Sequence, residues 1–312
     1  MDSLIKIEGK PLEKLMDVVS NAIGGICKPR QIVRVAKAEA KAESIKAIEQ
    51  AKTNAIIDGD IEKAQYLDTI NERLVKKETK RQKNIENIVA VAENILQVED
   101  TVSEEPVNPD WTTRFFDIVQ DVSDEEMQHL WGQILAGEIK LPKSYSLRTL
   151  EILRNMTKDE AEIFQKVAQY ALLQVDGFLY SPDNVLDKLG VPYSSIAKLV
   201  EIGLLQSGDF VTRNYSSNKT SDNIFGIIYG NLVILVKQKA NAPKISFNVR
   251  LFTTPGNELL KLVNIKPNME YLQEFAKTIK NGDVLVSYAE VISSKADGTI
   301  RYLNSASAVF IN

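Results

Sequence analysis

The pattern of apolar and polar residues divides the chain into three parts. From Pro11 to Leu96, apolar residues recur at helical spacing within long stretches rich in Ala, Lys and Glu, which predicts helices. From about residue 110 to 175 the helical spacing continues in shorter runs, and beyond 176 alternating apolar and polar residues also predict strands. The whole pattern predicts an α+β fold.

The first part, residues 1–97, is predicted to form a long helical hairpin preceded by a short amphipathic helix over Pro11–Cys27. Helices over Pro29–Ile57 and Ile61–Leu96 are joined by Asp58-Gly59-Asp60, because these turn residues interrupt the helical pattern. Each long helix has a modest apolar content. We therefore expect another domain, a partner protein or a second copy of the chain to complete the hairpin.

An acidic segment without periodicity, residues 98–109, is predicted to be a solvated linker. The following residues, 110–175, are predicted to form a small bundle of four helices. Asn108, Ser123 and Thr157 each stand where they can cap one of these helices, the last two in capping boxes closed by a glutamate three residues later.

The third part, residues 176–312, is predicted to be an α+β domain that resembles a winged helix. A helix over Ser194–Ile202, followed by Gly203 and then strands, is typical of that fold. Further helices are predicted to begin near Ser181, Thr254 and Asn268. Strands are predicted over residues 209–213, 225–237, 245–252, 283–291 and 299–310.

Composition excludes several kinds of site. The chain has 312 residues with one His and one Cys, so an internal disulfide and any metal motif that needs two histidines are excluded. We predict no metal and no cofactor. The apolar runs are too short to span a bilayer, and the first residues lack the pattern of a secretory signal, so we expect a cytoplasmic protein.

Charge is distributed unevenly along the chain. The net charge is −4. Residues 1–100 contain 17 basic and 17 acidic residues, residues 101–180 contain 7 basic and 14 acidic residues, and residues 181–312 contain 14 basic and 11 acidic residues. Nucleic-acid-binding proteins usually concentrate basic residues in one region. The overall charge therefore gives little support for strong binding to phosphates.

Few residues are candidates for catalysis. His129 lies beside helix-capping carboxylates and no nucleophile accompanies it, and Cys27 has no histidine nearby in sequence. The glycine spacing matches neither a P-loop, nor a dinucleotide fingerprint, nor a nucleophile elbow. We therefore predict that the protein is not an enzyme.

A basic stripe is the best candidate contact for an anionic partner. Arg30, Arg34, Lys37 and Lys41 recur at intervals that place them on one face of a helix. This face could meet phosphates or anionic lipid beside the amphipathic helix. The alternative is a solvated face, because two glutamates interleave with the basic residues.

The central helix carries a family resemblance. Residues 126–139, with Leu130-Trp131 and Leu135-Ala136-Gly137-Glu138-Ile139, resemble a bacterial family of unknown function. A similar helix occurs in the abortive-infection alpha proteins. Trp131, Leu135 and Glu138 mark this motif, which is mainly apolar and implies a shared helical structure rather than shared chemistry. The resemblance implies a bacterial protein encoded among anti-phage or mobile-element genes.

Three functions remain open at this point. The first is a non-enzymatic protein of anti-phage defence or regulation that self-associates or binds a protein partner. The second is a transcriptional regulator that binds nucleic acid with the C-terminal winged-helix-like domain. The third is an effector that perturbs membranes through the N-terminal amphipathic helix as a peripheral contact.

Overall fold

A computed structural model describes residues 10–23, 32–208, 210–294, 300–303 and 309–310 of the chain. The fold is α+β, with helices in the N-terminal part and an antiparallel sheet in the C-terminal part. Contacts group the chain into two compact units, Met1–Leu150 and Glu151–Asn312. The division into domains 1–97, 110–175 and 176–312 stays a prediction.

The first unit is helical. Its described helices, the last of which continues past the end of the unit, are α1 (Lys10–Ile23), α2 (Ile32–Ile57), α3 (Ile61–Leu96), α4 (Pro109–Val119), α5 (Glu125–Lys140) and α6 (Leu147–Asn155). Asn108 caps α4 as predicted, because its side chain accepts hydrogen bonds from the backbone N–H groups of Asp110 and Trp111.

Helices α2 and α3 form the predicted antiparallel hairpin. Gly59 has a φ of +76°, a conformation that glycine adopts without strain, and Asp60 caps α3 by accepting from the Lys63 N–H. Across the hairpin Lys52 donates to Asp68 at 2.6 Å, and Asn71 donates to Glu49 at 2.9 Å. These two contacts join the helices across the hairpin.

The C-terminal half of α3 packs against α5. Buried side chains of α3 on this side include Ile85, Ile88 and Ala92. A network of side-chain amides joins the helices: the buried Gln128 donates to the buried Asn84 at 3.1 Å and accepts from the exposed Asn87 at 2.9 Å. Such a network is satisfied in one register only.

The predicted linker is ordered against the helices. The Lys14 ammonium of α1 donates to the backbone oxygens of Ser103 and Glu105 at 2.8 and 2.7 Å. The Ser103 N–H donates to the Lys140 oxygen, and Val107 is buried. Burial lowers the pKa of Lys14, an effect that nearby Glu105 partly offsets.

The second unit combines short helices with a sheet. Its described helices are α7 (Lys158–Ala168), α8 (Val185–Lys188), α9 (Tyr193–Glu201), α10 (Thr254–Leu260) and α11 (Met269–Ile279). Its described strands are β1 (Leu172–Leu173), β2 (Gly177–Leu179), β3 (Val211–Tyr215), β4 (Asn223–Tyr229), β5 (Leu232–Gln238), β6 (Ile245–Leu251), β7 (Val284–Ser294), β8 (Ile300–Tyr302) and β9 (Val309–Phe310). Thr157 begins α7 with the predicted capping box.

All described strand pairs are antiparallel. Within the described residues the order is β3-β6-β2-β1-β4-β5-β7-β8, and β9 also pairs with β7. Ile245, Phe247 and Val249 of β6 are buried while Ser246 and Asn248 are exposed, as the alternation predicted. The core of this unit includes a group of tyrosines around α11, in which Tyr271 donates to the Tyr180 oxygen at 2.8 Å.

Several predicted elements were wrong in detail. The strand predicted over 225–237 is the hairpin β4–β5, since the Gly230-Asn231 loop pairs Tyr229 with Leu232. The strand predicted over 299–310 is two short strands in its described residues. Asp124 rather than Ser123 caps α5, because its carboxylate accepts from the Met127 N–H, and the Ser123 hydroxyl faces Asn84 instead.

Candidate interaction surface

The central motif is buried in the first unit. Trp131 and Leu135 are fully buried, and the Trp131 ring meets Phe115 edge-on with centroids 5.6 Å apart. Phe115 in turn stacks on Trp111 of α4. These contacts hold α4 and α5 together, so the apolar part of the motif forms core rather than a contact surface.

The two glycines of the motif allow close packing. A Cβ on Gly132 would lie 2.5 Å from the Cβ of Val91, so a side chain here would push α3 away from α5. A Cβ on Gly137 would lie 2.7 Å from the Tyr145 ring. Both positions therefore need a residue without a side chain.

Glu138 is the buried carboxylate of the motif. It is 1% exposed and accepts hydrogen bonds from the N–H groups of Lys143 and Tyr145 at 2.6 and 3.0 Å. The backbone carbonyl oxygen of Tyr145 accepts from the Trp111 indole N–H at 2.8 Å. Glu138 therefore organises the turn after α5, where Lys143 has a positive φ of 70°, and these bonds account for its burial.

The candidates for catalysis are not brought together. His129 is exposed on α5, and no hydrogen bond or ion pair joins it to another described residue. Cys27 lies outside the described residues. Within the described part of the chain, no group of three or more His, Cys, Asp or Glu side chains is placed to hold a metal ion.

The predicted basic stripe falls largely beyond what the structure describes. Arg30 lies outside the described residues. Arg34, Lys37 and Lys41 lie in α2, but their side chains are outside the description. Their contact with an anionic partner stays a prediction.

The distal half of the hairpin presents the clearest surface. We call residues 45–83 the distal hairpin. Of its described side chains, Ala55 and Ala64 alone are buried. At its end Ile56, Ile57 and Ile61 are 57%, 76% and 68% exposed, and we name these three residues the isoleucine tip.

The isoleucine tip was missed in the sequence because the residues were assigned to the helices they terminate. A signal was present: three isoleucines flank a turn of Asp-Gly-Asp, where side chains project from a helix end. Single exposed apolar residues are ordinary on protein surfaces. Three exposed isoleucines within six residues at the end of the hairpin make this end a candidate contact surface.

A second exposed surface lies on α9. Tyr193 is 74% exposed at the start of this helix, and Lys198 pairs with Glu201 at 2.9 Å. Arg250 of β6 lies over the Phe210 ring at 5.0 Å, and both residues line the same cleft as Tyr193. The α9 surface is thus aromatic and nearly neutral in charge.

Comparison with known protein families shows to which family the chain belongs. A family model described as "Protein of unknown function (DUF2806)" matches residues 68–177 and 181–276, about two thirds of the chain. The chain belongs to the DUF2806 family. No curated protein and no solved structure matches it significantly.

The DUF2806 match covers the motif helix α5 and most of α3 and of the second unit. The distal hairpin before residue 68, including the isoleucine tip, precedes the match. In the described residues, no helix is both long and apolar enough to cross a membrane.

Proposed function

We propose that this DUF2806 protein is a non-enzymatic bacterial protein that self-associates through its helical hairpin and acts in anti-phage defence or regulation. The observation that carries the proposal is the isoleucine tip on the distal hairpin. Burying an isoleucine side chain contributes about 1.5–3 kcal/mol, so three exposed isoleucines provide a driving force for association.

The surface around the isoleucine tip supports self-association. The hairpin offers the same surface in every copy, and two such surfaces related by a two-fold axis make an isologous contact. The exposed helices surrounding the tip are polar and charged. This arrangement, an apolar centre with a polar rim, is that of protein interfaces.

Co-purification of two differently tagged copies tests the contact. We expect wild-type copies to purify together, and Ile57→Glu combined with Ile61→Glu to abolish this, because the charges would be buried in the interface. Val175→Glu, with a valine that is 90% exposed elsewhere in the chain, is the matched control. Equal recovery of wild type and tip variant would refute the proposed contact.

The proposed role in defence is supported by the motif helix, which resembles that of abortive-infection alpha proteins. Phage plating on a bacterial host tests it. We expect the wild-type gene to lower the plating efficiency of some phages, and the tip variant to restore it while Val175→Glu does not. Unchanged plating over a broad phage panel would exclude the defence role.

A winged-helix-like arrangement in the second unit is supported by its topology. Strands β2, β6 and β3 are adjacent in that order, and α8 and α9 lie between β2 and β3 in sequence. The β4–β5 hairpin is inserted between β3 and β6. Since Lys198 is the one lysine of α9 and pairs with Glu201, we propose that this surface contacts protein rather than nucleic acid.

The membrane alternative has less support. Leu15, Val18 and Val19, on the apolar face of α1, are buried in the first unit. A helix that binds a membrane surface needs this face for the lipid. We therefore do not propose a membrane role for α1.

A further inference from the structure

The strongest concentration of positive charge in the described side chains lies on α3. Residues 73–83 contain six basic residues and one acidic residue. Five of the basic side chains are exposed. We name these five the α3 basic face: Arg73, Lys76, Lys77, Lys80 and Lys83.

These five residues share one side of a straight helix. At 100° per residue, they lie within a sector of about 120°, and they extend over about 15 Å of helix. The half-buried Leu67 and Leu74 lie in a different sector, toward the inside of the hairpin. The α3 basic face therefore points away from the apolar side of the helix.

The α3 basic face is distinguished from the neighbouring arginine by its lack of ion pairs. Arg81 donates twice to Asp121 at 2.7 Å, and this pairing lowers the pKa of the Asp121 carboxyl. No direct hydrogen bond or ion pair joins the five members of the face to another described side chain, but the charges of Lys77 and Lys80 also help to lower the pKa of Asp121. Five adjacent like charges repel one another, and a polyanion would relieve that repulsion.

The composition of the face favours a phosphate backbone over other polyanions. Lysine is depleted in protein–protein interfaces. Membrane-binding helices need apolar residues to insert beside their lysines, whereas the isoleucine tip ends twelve residues before Arg73. On this face the nearest exposed ring is Tyr66, seven residues before Arg73 and 67% exposed. Positive charge in a row with an aromatic ring is the arrangement that binds single-stranded nucleic acid.

We propose that the α3 basic face and Tyr66 bind a single strand of nucleic acid, without sequence preference, through its phosphates and one stacked base. The proposal does not depend on self-association through the isoleucine tip. Phosphate binding by up to five cations would make the logarithm of the association constant fall with the logarithm of salt concentration, with a slope of about −3.5.

Fluorescence anisotropy of a labelled 20-nucleotide single strand tests this in the full chain. The test variant replaces Lys76, Lys77, Lys80 and Lys83 by Gln, which keeps the helix propensity. The control replaces Lys198, Lys237, Lys239 and Lys277 by Gln. These four lysines, of which Lys198 is half-buried and the others are exposed, are ion-paired, and the change in net charge is the same.

We expect the test variant to bind at least about tenfold more weakly at 50 mM salt, with a slope reduced by about 2.8, while the control stays within about twofold of wild type. Tyr66→Ala is expected to weaken single-strand binding by about fivefold or more and to change duplex binding little. Circular dichroism and the oligomeric state check that each variant is folded.

Three results would overturn the proposal: no binding by wild type at low salt, equal loss in test and control variants, or binding of anionic vesicles but not of the oligonucleotide. Ile57→Glu with Ile61→Glu separates the two proposals. Oligonucleotide binding that this variant retains would sustain this inference, whether self-association is lost, as the proposed function predicts, or kept, which would refute that function.

Discussion

At the scale of single residues, the central motif is explained by packing and hydrogen bonds. Glu138, Gly132 and Gly137 each occupy a position whose surroundings accept one residue type. The motif therefore marks how the first unit folds, and its presence in other sequences does not by itself transfer a chemical activity.

Glu138→Gln is expected to destabilise the protein by about 1–3 kcal/mol, because the amide places an N–H donor where the carboxylate accepts from the Lys143 or Tyr145 N–H. Urea unfolding measures this. Glu72→Gln, at an exposed position of α3, is the control and should change stability by less than about 0.5 kcal/mol. Equal stability of the two variants would contradict the role assigned to Glu138.

The buried Tyr229 should make the free energy of unfolding fall at alkaline pH. Burial raises its pKa to about 12, whereas the unfolded chain releases this proton near pH 10. The unfolded state therefore binds fewer protons between pH 10 and 12, and stability falls as the pH rises through this window, by up to about 3 kcal/mol.

Tyr229→Phe should make this alkaline decline shallower, as measured by urea midpoints from pH 9 to 12. At neutral pH the variant loses about 1 kcal/mol, since the Tyr229 hydroxyl no longer accepts from the Asn268 N–H. Tyr193→Phe, at an exposed position, is the control and should follow wild type. A decline as steep in Tyr229→Phe as in wild type would show that other groups cause it.

At the scale of elements, local sequence signals predicted the helix bounds and caps well, but they did not predict how the strands pair. The bounds of α3 and the caps at Asn108 and Thr157 follow from turn and capping residues next to the helices they define. The β4–β5 hairpin was missed because Gly230-Asn231 interrupts an apolar run that reads as one strand. The sheet order depends on pairs far apart in sequence, which no local pattern specifies.

The candidate surface was also only partly predictable. A hairpin in need of a partner follows from its polar composition, but the isoleucine tip depends on exposure, which the sequence pattern leaves open. The α3 basic face was overlooked because residues 1–100 are balanced in charge overall. The clustering of basic residues on one face of α3 indicates this surface, whereas the net charge of the whole segment conceals it.

The packing of α3 against α5 gives a prediction at this scale. Gly132→Ala should destabilise the protein by about 1–3 kcal/mol, because its methyl group would overlap Val91 in the interface of the two helices. Thermal unfolding measures the change. Gly282→Ala, where a Cβ meets open space, should be neutral within about 0.5 kcal/mol, and a similar loss in both variants would refute close packing as the cause.

At the scale of the whole molecule, the two units present different surfaces. The distal hairpin of the first unit carries an apolar tip and a basic face. The second unit offers the aromatic, nearly neutral surface of α9. We propose that this DUF2806 protein acts by assembling copies of itself and by holding a nucleic-acid strand.

Sedimentation equilibrium from about 1 to 100 μM protein tests the central claim most directly. We expect wild type and Val175→Glu to form dimers or larger assemblies in this range, and Ile57→Glu with Ile61→Glu to weaken association at least about a hundredfold, which corresponds to about 2.7 kcal/mol. A wild-type chain that remains monomeric at 100 μM, or a tip variant that associates as strongly as wild type, would contradict the account.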